Sequence, residues 1–288
     1  MNIVTWNTQW CKGIDGIISP ERIIEGARSL SDFDVLCLQE ISINYHGLTA
    51  DTAPNQALEI QSLLPEYQVV FGAAVDEQPL GKHDRQQFGN LVASRLPILQ
   101  IQKVCLPSPI DVTSQLPGMA RVCLVCTVQA PWGPVRVMTT HLEYYSQPQR
   151  AAQIETLARW HETASLRALH PASTGPSSAD TPYQRKPDTL DAVLCGDFNF
   201  TPDSEEYQTI TALTGSNPLL DAWCLNKPGQ AHPPTFRIYD QTYGPDPVSC
   251  DFFFASQSLR ERVRNIRVDT LTQVSDHQPV CLELSSAI

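Results

Sequence analysis

The sequence predicts a mixed-sheet α/β or α+β architecture, and three observations predict it. Strand and helix signals alternate at both ends of the chain, while the middle holds a run of strands without crossover helices, unlike a doubly wound parallel sheet. Several strands are short unbroken apolar runs, as expected for strands covered on both faces. Polar, chemistry-bearing residues stand repeatedly where those runs end.

Taken in order, Asn2–Trp6 reads as a strand ending at Asn7. Ser19-Pro20-Glu21 starts a helix whose apolar face is Ile23, Ile24, Ala27 and Leu30. Asp34–Leu38 is a buried strand closed by Gln39-Glu40, Tyr45–Pro54 a loop, and Asn55–Leu64 a helix stopped by Pro65. Strands follow at Tyr67–Val75, Gly89–Ser94, Ile98–Leu106, Ala120–Val128 and Val135–His141. A long helix begins near Pro148. Residues 170–188 are rich in Pro, Ser, Thr and Ala and are expected to form a flexible surface loop, not a domain linker, because the strand Ala192–Cys195 needs partners from the first half. Residues 216–249 look irregular, and strands at Cys250–Ala255, Val263–Leu271 and Gln278–Leu284 close the chain. The expectation is one domain, 1–288.

Composition narrows the function classes. With 42% apolar and 18% charged residues the 288-residue chain is globular, and its 23 prolines favour many short elements. A net charge of −11 argues against non-specific clinging to long nucleic acid, although a divalent cation could supply local positive charge for a phosphate. Nine cysteines, mostly inside apolar runs, suit reduced thiols in a cytoplasm. Cys123-Leu-Val-Cys126 lies in a strand, so its thiols face opposite sides and a core role is expected. Met1 is followed by neither a basic region nor a long apolar stretch, so no signal peptide or membrane span is expected.

The stretch Asp191-Ala-Val-Leu-Cys-Gly-Asp-Phe-Asn199 concentrates the chemistry. Residues i and i+2 of a strand share a face, so Asp197 and Asn199 would leave the sheet end side by side. Thr201-Pro202 then reads as an N-cap and first helical position. A carboxylate beside an amide there suits handling of a water next to a metal or phosphate. Asn7, Glu40, His141, Asp251 and the pair Asp276-His277 likewise stand at strand ends, and stacked sheets would bring the set together. Hard oxygen donors without a cysteine set suit Mg²⁺ or Mn²⁺ over zinc. Phosphate-cradling glycine loops and serine-hydrolase motifs are absent from the sequence.

These segments carry a family resemblance. Ile3-Val-Thr-Trp-Asn7, Asp34-Val-Leu-Cys-Leu-Gln-Glu40, Gly89-Asn-Leu-Val-Ala-Ser-Arg-Leu-Pro97, Thr140-His-Leu-Glu143, Gly196-Asp-Phe-Asn199 and Ser275-Asp-His277 occur in the order of the endonuclease/exonuclease/phosphatase superfamily, over residues 3 to 277. The chain thus resembles the DNase-I-like fold, which implies an α/β four-layer sandwich: two stacked mixed sheets flanked by helices. The resemblance also implies Mg²⁺-dependent phosphoester hydrolysis, with Mn²⁺ as a substitute. Carried over, Glu40 looks like the principal metal ligand, with Asn7 beside it and Asp276 contributing. Asp197 would orient or deprotonate the attacking water and Asn199 would hold it or a phosphate oxygen. His277, steered by Asp251, would contact the phosphate, with His141 on the opposite side as proton donor or phosphate ligand; Asn90 and Arg121 are further phosphate-facing candidates.

Departures bear on the substrate. His141 stands where the abasic-site endonucleases carry Tyr, and Gln9 where they carry an acid; Val-Ser-Cys250 replaces an Arg-Ile-Asp segment. The expected partner is a phosphoester, nucleic acid first, with no obligate protein partner. A small phosphate ester or phospholipid head group is the alternative, for which Trp132 between two prolines is the one hint of an apolar loop. A non-catalytic binding module is the third reading.

Overall fold

A computed structural model describes the whole chain except residues 51, 82, 115, 174–178, 213–214 and 288. The first sheet begins with β1 (Asn2–Asn7), α1 (Pro20–Leu30) and β2 (Val35–Ile43), a parallel pair joined by a helical crossover, with Asn7 opposite Gln39. Ser19 caps α1 through the Arg22 N–H, and Pro20 occupies its first turn, so the helix starts where the sequence signals it. After α2 (His46–Thr49) and α3 (Gln56–Leu63), β3 (Gln68–Glu77) and β4 (Gln86–Ser94) complete a hairpin against β2.

The second sheet follows. β5 (Ile98–Leu106), β6 (Arg121–Ala130) and β7 (Gly133–His141) form a meander, and α4 (Gln147–Leu169) crosses to β8 (Ala192–Asp197), which lies parallel to β7. Next come α5 (Glu205–Ala212), β9 (Leu219–Asp221), α6 (Ala222–Asn226) and β10 (Asp251–Ser256). β11 (Val263–Val268) and β12 (Val280–Leu284) return to the first sheet. The strand orders are β11-β12-β1-β2-β4-β3 and β5-β6-β7-β8-β10-β9.

The expected four-layer α/β sandwich is observed, because three apolar layers are fed by alternating residues of the same strands. Ile3, Val35 and Cys37 meet Leu124, Cys126, Val137 and Cys195 between the sheets. Val4, Trp6, Leu36 and Leu38 face α1 and α3. Val125, Met138, Leu194, Phe252 and Phe254 face α4 and α5. Burial of each such side chain contributes roughly 1.5–3 kcal/mol. Cys123 and Cys126 fall in different layers, as strand alternation requires.

Four local expectations change. β2 does not stop at Glu40; a bulge between Leu38 and Ile41 lets it continue to Ile43. The Tyr45–Pro54 stretch holds the short helix α2. Pro202 is not a first helical residue: Thr201 bonds Asp203 in a turn, and α5 starts at Glu205 behind Ser204, whose hydroxyl accepts from Tyr207 N. The supposedly irregular 216–249 stretch contains β9 and α6, the latter capped by Asp221. Residues 171–173 and 179–188 are irregular chain, and the centre of the expected flexible loop, 174–178, lies outside the described residues.

Candidate active site

The two parallel pairs end at the same edge of the sandwich, and their register assembles the site. In the second sheet His141 pairs with Asp197, and Asp197 with Asp251, so three adjacent strands present these residues in one row. Gly196 makes that row attainable. Its φ is +131°, and a Cβ there would lie 1.9 Å from the Thr140 carbonyl oxygen. From the first sheet, β1 delivers Asn7, and the β2 bulge turns Glu40 (φ +61°) toward the same point. Asp276 and His277 come from the loop before β12. That loop is pinned by Ser275 Oγ donating to the Asn7 carbonyl at 2.8 Å and by Trp6 Nε1 donating to the His277 carbonyl at 2.9 Å.

Asp197 is the centre. Its Oδ1 accepts from the Asn199 backbone N–H at 2.9 Å, and its Oδ2 accepts from Asn7 Nδ2 at 2.8 Å. The same Oδ2 lies 3.5 Å from His141 Nε2 and 3.8 Å from His277 Nε2. Asn7 Nδ2 also donates to Glu40 Oε1 at 3.1 Å, while its Oδ1 accepts from the Gln9 N–H. Asn7 therefore bridges two carboxylates from behind, with its amide oxygen already engaged. Asn199, at φ +52°, donates Nδ2 to the Leu142 carbonyl and faces the cleft.

The two histidines are tuned in opposite directions. Burial, reinforced by Arg121 and His277, drives the His141 pKa well below its usual 6.5, so this ring is neutral. Burial would lower His277 as well, but Asp251 and Asp197 outweigh it and lift its pKa well above 6.5. His277 is an imidazolium at neutral pH, donating from Nδ1 to Asp251 Oδ2 at 2.9 Å with Phe236 stacked on its ring at 4.3 Å.

The carboxylates carry more negative charge than their neighbours offset. Burial and the repulsion of Asp276 raise Glu40 to about 7. Burial raises Asp197 to about 6, opposed by His277 and reinforced by Asp251, and burial likewise raises Asp276. Clustered, buried hard oxygen donors such as Glu40 and Asp276 have the chemistry that a divalent cation fits.

A cleft of about 470 Å³ opens over this group. Arg121 lines it; its Nε and Nη2 hold Glu143 Oε2 at 3.3 and 3.2 Å, and its buried Nη1 has no protein partner. Asn90 lines a small cavity of its own beside Glu40, Arg121 and His141, with its Nδ2 donating to the Val122 carbonyl at 2.9 Å and tying the two sheets together. The features that sequence reasoning missed are the aromatic walls, including Trp10, Tyr45, Tyr144, Tyr243 and Phe236. Tyr144 and Tyr145, directly after the Thr140–Glu143 segment, were the available signal. Trp132 lies elsewhere, half-buried, with its Nε1 on Asp191 and Arg262 over its ring, so it forms no exposed apolar loop.

Comparison with known proteins agrees with the fold. No curated protein matches the chain significantly. Among solved structures it is similar to an endonuclease/exonuclease/phosphatase from Bacteroides vulgatus, at TM-score 0.66 and 18% identity over 99% of this chain and 98% of that one. It is similar to a mannosyl-6-phosphatase from Bacteroides thetaiotaomicron (TM-score 0.65, 18% identity, 99% of each chain). A 3′ phosphatase from Neisseria, bound to a product DNA hairpin, is also similar (TM-score 0.61, 18% identity, 99% of each chain). These likenesses show the fold; the family model of the Endonuclease/Exonuclease/phosphatase family matches residues 4–277, and the chain belongs to that family of phosphoester hydrolases.

Proposed function

We propose that the protein is a divalent-metal-dependent hydrolase that cleaves a phosphodiester by direct attack of an activated water, of nuclease type. The observation that carries this reading is the buried Asp197 carboxylate, its Oδ2 set 3.5 Å from His141 Nε2 and 3.8 Å from His277 Nε2, between a histidine driven toward the neutral form and one driven toward the charged form. A carboxylate raised toward neutrality is a competent general base, and Asp197 would take the proton of a water held with Asn199. His277 would donate from Nε2 to a phosphate oxygen as negative charge develops, its orientation held by Asp251. His141 would contact the phosphate from the other side, and the free Nη1 of Arg121 would contact a further oxygen.

Glu40 and Asp276 would hold the cation, Mg²⁺ with Mn²⁺ as a substitute, and Asn7 would fix Glu40 and Asp197 relative to each other. When bound, the cation supplies Lewis-acid polarisation of a phosphoryl oxygen and offsets charge spread over the phosphate. The reading takes residues 1–288 as one working domain. Nine free cysteines are consistent with a reducing, cytoplasmic setting.

The cleft favours short or single-stranded substrates. Its aromatic walls offer faces on which bases stack, and Arg121 is the one Lys or Arg among the described lining residues. A long duplex would instead need a basic stripe. A second reading, a phospholipid or small-ester phosphodiesterase, has one observation in its favour. Ile110 and Val112 are 92% and 91% exposed in the β5–β6 connection that also brings Met119 to the cleft.

The experiment is a hydrolysis panel with Mg²⁺, Mn²⁺ or EDTA on single- and double-stranded DNA, RNA, sphingomyelin and a chromogenic phosphodiester. Metal-dependent turnover of single-stranded substrates, abolished by Asp197→Asn and His277→Ala, is expected. Full activity in either folded variant would remove the assignment.

A further inference from the structure

Away from the cleft, the outer face of the second sheet carries a polar row where apolar packing is the rule. Gln100 of β5 pairs with Thr127 of β6, and Thr127 with Arg136 of β7, so three strands present one line of polar side chains. Arg136 precedes His141 by about 16 Å of strand, at ~3.3 Å per residue, and points to the opposite face. Above the row lies a cavity of about 300 Å³, closed by the C-terminal end of α4 and by residues 182–188.

The charge of this cavity opposes that of the protein. A chain of net charge −11 lines it with Arg136, Arg167, Arg185 and Lys186 against the single carboxylate of Asp188. Arg136 is only 4% exposed, yet no carboxylate lies within ion-pair distance of it among the described residues. Its Nη1 donates to the Thr189 carbonyl at 2.9 Å and its Nη2 faces His161 Nδ1 at 3.3 Å; its Nε is buried without an acceptor. His161 adds no neutralising charge, because its Nε2 donates to the Asn217 carbonyl at 2.7 Å and Nδ1 is left to accept. The Trp160 ring lies 5.6 Å from the guanidinium and Asp188 acts on it from beyond ion-pair distance, so this buried charge is only partly compensated and an anion in the cavity would complete it.

We propose that this cavity is a binding site for a small oxyanion of the phosphate class, distinct from the catalytic cleft. Arg136 anchors the anion from the sheet, Arg167 approaches from α4, Arg185 and Lys186 cover it, and Gln100 and Thr127 offer uncharged donors. Inorganic phosphate, pyrophosphate and the phosphate of a nucleoside monophosphate share the required chemistry.

The test is calorimetric titration of the full chain, kept in EDTA at constant ionic strength, with phosphate, pyrophosphate and AMP in turn. Saturable binding of at least one is expected, and the strongest ligand tells a free oxyanion from a nucleotide. Arg136→Gln should weaken it about 10-fold or more, the loss of one charge-assisted contact of ~1.5 kcal/mol. Arg167→Ala and Lys186→Ala, on exposed side chains that folding does not require, should each weaken it several-fold, and His277→Ala should leave it unchanged. Three results would each overturn the proposal: no saturable binding, binding indifferent to both Arg167→Ala and Lys186→Ala, or binding lost in His277→Ala.

Discussion

His277 Nδ1 lies 2.9 Å from Oδ2 of Asp251, a carboxylate on the strand beside Asp197, so the imidazolium is held between two acids on neighbouring strands. Asp251 supplies the larger part of the pull that keeps this buried ring charged. In Asp251→Asn that pull is gone, and burial then favours the neutral ring. The alkaline limb of the kcat/KM profile should move to lower pH, and kcat should fall about 10–100-fold. An unshifted pH profile in the folded variant would mean His277 is not the charged donor.

The raised carboxylates make a prediction about stability. Glu40 has an ordinary pKa of 4.5 and about 7 in the folded chain, so between these values the folded state binds more protons. The contribution of Glu40 to metal-free stability should therefore fall as pH rises from 4.5 to 7, read as the difference between wild type and Glu40→Gln. Mg²⁺ competes with those protons, so its thermal shift should be larger at pH 8 than at pH 5, reaching about 2.7 kcal/mol at a hundredfold excess over Kd. Glu40→Gln should raise the melting temperature in EDTA while abolishing the Mg²⁺ shift. Scanning calorimetry at both pH values checks each part, and an equal Mg²⁺ response in Glu40→Gln would count against Glu40 as a ligand.

What could be read from the sequence divides along physical lines. Val35–Leu38 and Ala192–Cys195 announce themselves because both faces are covered, which leaves unbroken apolar runs. Leu219–Asp221 carries no such signal: three residues are too few for a period, and pairing with β10 makes them a strand. Glu40 is legible as a strand-end acid, but the bulge that aims it depends on a left-handed conformation that glutamate does not advertise. Asn7 reads as a ligand, and only the folded geometry shows its amide shared between two carboxylates. The opposite charges of His141 and His277 depend on neighbours brought by other strands, so no local pattern encodes them.

Gly196 tests the register of the site. A methyl group at this position meets the Thr140 carbonyl at 1.9 Å, and the φ of +131° suits only glycine. Gly196→Ala must push β8 away from β7 where His141 and Asp197 are paired. A loss of several kcal/mol is expected, together with a fall in kcat beyond what the folded fraction explains. Urea unfolding monitored beside single-turnover kinetics separates the two, and wild-type kcat in the folded fraction would show that the register tolerates displacement.

His161 gives a pH dependence remote from the catalytic cleft. Burial, helped by Arg136 and opposed by the Asn217 carbonyl, lowers its pKa from 6.5 to about 4. Between those values the unfolded chain binds the proton more readily, so the contribution of His161 to stability rises with pH through that window. The contribution is complete above 6.5 and is lost as pH falls toward 4, amounting to roughly 3 kcal/mol. His161→Gln keeps a side chain able to reach Asn217 but cannot titrate, so the variant should lose less stability than wild type between pH 6.5 and 4. Urea midpoints measured across that interval decide it. Parallel pH slopes would mean that His161 binds its proton as readily in the folded chain as in the unfolded one, and the depressed pKa would be wrong.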